Sequence, residues 1–260
     1  MMIGKAGPAI TNICTSTPSS IEVQGRDLCN DLMGKKSFTD FFFLLMTGKD
    51  PTEKQRFFLD TLLICIAEHG LTPTAQAARM TLAAAPDALQ AAVAAGILGC
   101  GTVVLGTAEL CGHLLSEARR RIESGEDRDQ VMQDIADSTR KAGGKIPGFG
   151  HPIHHPVDPR SERILALADE KGVSGIHVDL LRRLTPAVAK AWGRPMPLNV
   201  SGPIAAVLLD LEFPEAMVKA IPLLARTAGL LGHLAEEQAR PVGFLMSHHA
   251  EEAIAYERRS

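Results

Sequence analysis

The sequence predicts an all-α protein, and three observations carry that expectation. Of 260 residues, 45% are hydrophobic but only 4% aromatic; such an Ala-, Leu-, Ile-, Val- and Met-rich core packs helix on helix more readily than sheet on sheet. Helix start and stop signals recur along the chain. Between them, apolar residues repeat at three- and four-residue spacing. The length supports a substantial core, in one large domain or two lobes.

Taken in order, Ser20–Gln24 alternates briefly and reads as an isolated strand before Gly25. Asp50-Pro51-Thr52-Glu53 reads as a helix start, with Asp50 as N-cap, proline in the first turn and Glu53 closing a capping box. Phe57, Phe58, Leu59, Leu62, Leu63, Cys65 and Ile66 then form a broad apolar face, and Gly70 stops the helix. Thr72-Pro73 starts another helix in the same way. Helical patterns follow over Ala88–Leu98, Leu110–Ile122, Gln130–Ala142, Ser161–Lys171, Val178–Ala191, Ile204–Leu211 and Pro214–Ala239, with a short one near Tyr256. Two Gly/Pro-rich loops interrupt them, 143–152 and 192–197. No tandem repeat is visible, and long helices with short connections predict an orthogonal bundle.

Composition excludes several classes. A net charge of -3 argues against a nucleic-acid partner, and Arg119-Arg120-Arg121 reads as a solvated helix end. The five cysteines are odd in number and lack a C-x-x-C spacing, so neither a zinc site nor a disulfide framework is expected. Cys65 and Cys100 read as small core residues, which fits a reducing cytoplasm. The first residues carry no apolar stretch of signal-peptide type. From Ala91 to Ala108 no residue is charged, but four glycines and the lack of a basic flank or aromatic belt point to a buried helix and turn rather than a membrane span.

The most telling stretch is Pro147-Gly148-Phe149-Gly150-His151, continuing to Asp158-Pro159-Arg160. A histidine flanked by glycine lets backbone N–H groups approach a ligand closely, and the Arg160 fork suits a carboxylate or phosphate. This pair of motifs resembles the signature of citrate synthases and citryl-CoA lyases, including the last module of ATP-citrate lyase. Three further segments follow the family's order: Glu68-His69-Gly70, Gly101–Glu109 (where the family has Gly-Pro-Leu-His-Gly-Gly-Ala-x-Glu) and Asn199-Val200-Ser201 (where it has Asn-Val-Asp). The resemblance runs from about Phe38 to Arg240.

The resemblance implies a two-lobed helical fold with a cleft between a large lobe, residues 1–109 and 206–260, and a small lobe, 110–205. It implies that His69, His151, Arg160, Arg226 and Arg240 hold a 2-oxo diacid or its citryl derivative, Arg240 being donated across a homodimer. Several cations in fixed geometry are what a molecule with two or three carboxylates requires, and arginine supplies them at any pH. A CoA thioester is the implied second substrate, with no tightly bound cofactor; Lys141, Lys145, Gly148 and Gly150 are its candidate contacts. His155 stands where the family has an arginine for the CoA phosphates. The cluster His151, His154, His155 could suggest a metal, but none is expected.

Two departures bear on the chemistry. The family's catalytic histidine and aspartate fall on Val104 and Ser201, and no His, Asp or Glu lies between Cys100 and Ala108 or between Pro195 and Leu209. A missing oxyanion donor costs about 10²–10³ in rate and a missing general base about 10²–10⁴, so ordinary citrate synthase activity is expected to be nearly absent. The expected activity is a retro-Claisen-type cleavage of a citryl-CoA-related thioester, or its reverse, with His151 as the acid–base candidate and Ser201 and Glu68 as helpers. The alternative is a regulatory homologue that binds a diacid or CoA without turning it over.

Overall fold

A computed structural model describes residues 9–258 of the chain. They form two compact units, Met1–Phe57 and Phe58–Ser260.

In the first unit the expected isolated strand is the middle of three. β1 (Cys14–Ser16), β2 (Ile21–Val23) and β3 (Arg26–Asp27) form an antiparallel sheet in that order, with Cys14 opposite Val23 and Val23 opposite Arg26. The two-residue turn Gln24-Gly25 has positive φ at both positions, which is what a hairpin with right-twisted strands requires. The Asp27 carboxylate accepts from the N–H groups of Cys29 and Asn30 and starts a short helical turn, Leu28–Leu32. The helix α1 (Phe38–Thr47) has no counterpart in the expectations. A full capping box, Ser37 with Asp40, starts it, and Gly48 in the left-handed conformation ends it. Val23, Leu32 and Leu44 form the core of this unit.

The next helix, α2 (Glu53–Ala67), starts later than predicted. Asp50 does not cap it, because its carboxylate is held by Arg26 at 2.9 Å and Lys36 at 3.0 Å. Thr52 and Gln55 make the reciprocal cap instead: the Gln55 N–H donates to Thr52 Oγ1 and the Thr52 N–H to Gln55 Oε1.

The second unit is helical throughout its described residues: the end of α2, then α3 (Pro73–Ala84), α4 (Leu89–Leu98), α5 (Thr107–Glu123), α6 (Arg128–Lys141), α7 (Pro159–Glu170), α8 (Ile176–Trp192), α9 (Ser201–Asp210), α10 (Ala220–Ala239) and α11 (Gly243–Ala253). All-α is therefore the right class. The helix predicted over Pro214–Ala239 is divided, a 3-10 turn at Glu215–Met217 preceding α10. One packing group is α3, α4 and α10, joined through Ala75, Ala78, Leu82, Ala92, Leu230 and Leu234. Small residues let these helices approach closely; a Cβ on Gly96 would lie 2.6 Å from Leu230. The other group is α5, α6, α7, α8 and α9. Its centre is α9, where Ser201 through Leu208 are all buried. The Asp210 carboxylate at the end of α9 accepts from the N–H groups of Gly175, His177 and Val178 and so caps α8 from a distance.

The uncharged stretch 91–108 is α4, a glycine-rich turn and the first residues of α5. Among the described residues no helix is long and apolar enough to cross a membrane. All five cysteines are free; Cys100 and Cys111 are buried and Cys65 partly so. Arg119, Arg120 and Arg121 lie in the last turns of α5, each paired with a glutamate.

Candidate active site

A cavity of about 890 Å³ opens where α2 ends and where α3, α5, α7 and α9 begin, with α10 behind it. Its wall brings together His69, Lys145, Gly148, Gly150, His151, Arg160, Ser201 and Arg226, with Val104.

The His69 corner comes first. Glu68 Oε1 accepts from the N–H groups of His69 at 2.7 Å and Gly70 at 2.6 Å, which fixes the turn after α2. His233 Nε2 lies 3.0 Å from the same oxygen, and His233 Nδ1 lies 3.2 Å from Arg79 Nη1. Arginine only donates, so Nδ1 accepts and the His233 ring is the neutral Nε2–H tautomer that donates to Glu68. The Glu68 carboxylate is thus committed to the turn and stands outside the cavity wall. α10 passes close by because Gly229 has no side chain; a Cβ there would lie 2.1 Å from the Ala67 carbonyl oxygen.

That approach delivers Arg226, 2% exposed, to the cavity wall. Its Nη2 donates to the Ile66 carbonyl at 3.5 Å, while Nε and Nη1 are buried and have no partner among the described residues. Burial pulls its pKa below the ordinary arginine value, yet a guanidinium keeps its charge at physiological pH.

The two loops singled out in the sequence lie against each other. Phe149 and Leu198 form an antiparallel bridge, the Gly150 N–H donates to Pro197 O and the Asn199 N–H to Gly148 O, both at 2.8 Å. The Asn199 side chain adds a bond to the Gly150 carbonyl. Gly148 has a φ of 85°, and a Cβ on it would sit 3.2 Å from Gly202 Cα, so only glycine lets the loop press onto the start of α9.

His151 leaves this loop with Nδ1 accepting from the N–H groups of Ile153 at 3.1 Å and His154 at 3.0 Å. A neutral ring in this position carries its proton on Nε2, and protonating Nδ1 would break both bonds. His154 stacks on His151 with centroids 4.4 Å apart and places Nε2 3.0 Å from His69 Nε2. Burial holds His69 and His151 below the ordinary histidine range, with Arg160 adding to the effect at His69 and His154 at His151.

Arg160 is fixed by its own helix cap. Asp158, fully buried, caps α7 through the Arg160 N–H and forks the guanidinium through Nε at 3.0 Å and Nη2 at 2.8 Å. Asp158 also accepts from the Val200 N–H, tying the Arg160 corner to the Ser201 segment. Burial alone would raise the Asp158 carboxyl; Arg160 holds it below the usual carboxylate range.

Three of the residues given a catalytic or binding role from the sequence do not line the cavity. Glu68 is one; Lys141 is exposed in the last turn of α6; Arg240 is exposed at the end of α10, where its carbonyl accepts from Arg79. Sequence reasoning gave no role to Asp158, Thr107, Asn199, His233 or Arg79. Asp158 could have been found, since an Asp before a helix-starting proline is a cap signal. For His233 and Arg79, 154 residues apart, no local signal exists.

His69, His151 and His154 present nitrogens within 4.8 Å of one another, close enough for a cation. Their surroundings suit the opposite charge. His151 Nδ1 is already an acceptor for two N–H groups, Arg160 adjoins the cluster, and the Asp158 carboxylate is spent on Arg160. Such a set of donors suits an anion better than a metal ion. Burial pushes the Cys111 thiol, which packs against Gly148, up to about 12, so it offers no thiolate nucleophile.

Comparison with known proteins accords with this geometry. Residues 11–243 match the family model described as citrate synthase, C-terminal domain. The citrate/2-methylcitrate synthase of Bacillus subtilis is 27% identical over 208 residues, which are 78% of this chain and 53% of that protein. The ATP-citrate synthase beta chain protein 1 of Oryza sativa is 23% identical over 200 residues, 70% of this chain and 31% of that one. The chain therefore spans about half the length, or less, of these curated relatives. Among solved structures, citryl-CoA lyase from Hydrogenobacter thermophilus superposes with a TM-score of 0.84 at 26% identity, covering 98% of this chain and 96% of that one. ATP citrate lyase from Methanothrix soehngenii, solved with citrate and coenzyme A, gives 0.78 at 23% identity over 99% of this chain and 43% of that one. With a family model spanning most of its residues and a fold that matches a citryl-CoA lyase end to end, the chain belongs to the citrate synthase family.

Proposed function

We propose that the protein is a citryl-CoA-lyase-like enzyme, cleaving a citryl-CoA-related thioester into an acyl-CoA and a 2-oxo acid such as oxaloacetate, or running the reverse condensation. The observation that carries this reading is Arg226. A buried guanidinium with two free donor nitrogens in a cavity wall leaves a large desolvation cost unmet, and a carboxylate ligand meets it. Arg160, already oriented by Asp158, supplies a second fork for a second carboxylate.

The imidazoles have complementary tasks. His151, neutral with its proton on Nε2, donates to the hydroxyl or carbonyl oxygen at the reacting carbon and resists becoming a base. His69 completes the contact to the same oxo acid. For the CoA arm, Lys145 and the backbone at Gly148 and Gly150 line the cavity entrance, while Lys141 is more remote. The reading includes the lobe division at 110–205, closure of the lobes to exclude water, and a cytoplasmic homodimer in which the partner contributes Arg240. No tightly bound cofactor is part of it.

The test is direct. Purified protein mixed with citryl-CoA is expected to release acetyl-CoA and oxaloacetate, and His151→Ala to abolish the release; no turnover above background removes the citryl-CoA version. Val104 and Ser201, in place of the family's histidine and aspartate, favour a second reading: a regulatory protein that binds a diacid or CoA. Thermal stabilisation by citrate or oxaloacetate without turnover of any acyl-CoA would select it.

A further inference from the structure

Breaking the carbon–carbon bond of a citryl thioester leaves its electron pair on the α-carbon as an enolate, with negative charge on the thioester oxygen. The hydroxyl proton passes to solvent water as the ketone forms, and the α-carbon later takes one proton from solvent, so atoms and charge balance. The oxyanion needs a hydrogen-bond donor, and the Val104 side chain has none.

Two hydroxyls lie in the wall of the same cavity. Thr107 is the first residue of α5 and Ser201 the first of α9, and their oxygens are 2.7 Å apart. Ser201 is 8% exposed. Among the described residues neither hydroxyl bonds any other side chain or backbone group. Two hydroxyls sharing one hydrogen bond leave one O–H free to donate, and donation within the pair polarises it. The first turn of α5, a helix of 17 residues, has no side-chain cap, so its dipole adds positive potential at the pair; at α9 the Asn199 side chain accepts from the Ser201 N–H and Asp158 from the Val200 N–H. The unpartnered Arg226 faces the same cavity, an independent sign that a ligand belongs there.

We infer that Thr107 and Ser201 form the oxyanion donor pair for the thioester, the function that Val104 leaves vacant. The inference rests on the lyase reading above. The pair moves no proton; it stabilises charge, the use to which a preorganised low-dielectric donor is best suited.

The experiment uses the full chain and three variants, Thr107→Val, Ser201→Ala and the conservative Thr107→Ser. Three quantities are measured: citryl-CoA cleavage, the affinity for carboxymethyl coenzyme A relative to coenzyme A, and the thermal shift with citrate. Carboxymethyl coenzyme A carries a carboxylate on the carbon next to sulfur, which presents an anion close to where the enolate oxygen would form. Losing one donor of the pair is expected to lower kcat by about 10²–10³-fold, with KM changed less than about threefold. The preference for carboxymethyl coenzyme A over coenzyme A should fall about tenfold, the citrate shift should stay, and Thr107→Ser should recover most of the loss. Wild-type activity that survives Thr107→Val and Ser201→Ala with unchanged ligand preference overturns the donor pair alone. Variants that lose the citrate shift along with kcat also overturn it, since the residues would then be structural. A wild-type chain that neither shifts with citrate nor cleaves citryl-CoA overturns the lyase reading and this inference together.

Discussion

Two buried arginines in the second unit, Arg79 on α3 and Arg226 on α10, have nearly equal exposure, 3% and 2%, and opposite surroundings. Arg79 donates to Glu237 through Nε and to Glu236 through Nη1, both at 2.7 Å, and Glu237 also accepts from the N–H groups of Val242 and Gly243. Burial would lower its pKa, but the two carboxylates raise it above the ordinary value. Arg226 has no carboxylate partner, and there burial prevails. A cation whose cost is met inside the fold is structure. One whose cost is left open beside a cavity is a place for a ligand. Burial alone does not separate the two; the census of partners does.

The largest effect is expected at the paired arginine. Arg79→Met leaves Glu237 buried without its cation and should destabilise the fold by about 3–5 kcal/mol, lowering Tm by on the order of 10 °C, while the citrate-induced shift persists. Arg226→Met should reverse that pattern. Citrate or oxaloacetate affinity falls by about 10²–10³-fold, as for loss of one member of a buried charge pair, and Tm does not fall, because an unmet buried charge has been removed. A Tm loss at Arg226→Met that matches Arg79→Met would erase the distinction.

His233 joins the two regions, accepting from Arg79 and donating to Glu68 under the His69 turn. His233→Ala should therefore move both readouts, by a few degrees in Tm and about tenfold in citrate affinity. In His233→Gln an amide can still accept and donate, and both should recover in part.

A smaller effect is expected from pH. His69 and His151 have folded-state values below 6.5, so the unfolded chain takes up their protons first. Their contribution is fully present above about pH 6.5 and is lost as pH falls from there through the folded values. Asp158 and Glu237 are depressed carboxylates, whose contribution is present above about pH 4.5 and lost at lower pH. A Tm scan should show two separate declines, and citrate should blunt the first. The smallest effect is at Arg240→Ala. That side chain is exposed, and stability should change by no more than about 0.5 kcal/mol in a single chain.

Much of the cradle was legible before any coordinates. His69, His151, Arg160 and Arg226 sit in motifs whose order suggested one site, and all four line one cavity. Glu68 and Arg240 belong to the same motifs but face elsewhere, because a motif records neighbours along the chain and not the direction of a side chain. Asp50 shows the same limit at a helix end: as a cap signal it reads well, yet Arg26 and Lys36 take its carboxylate. The capping box Ser37–Asp40 is a local signal of the same kind, and at α1 it holds.

The helical class, most helix positions and the supply of cations for an anionic ligand can be read along the chain. Those follow from local spacing, caps and composition. Folding in three dimensions sets which charges are met and which are left open: Arg79 satisfied by glutamates 157 and 158 residues away, Arg226 left with free donors, and two hydroxyls 94 residues apart brought within 2.7 Å. Hydrogen bonding and desolvation act over a few ångströms in space, so they depend on contacts that no stretch of adjacent residues encodes.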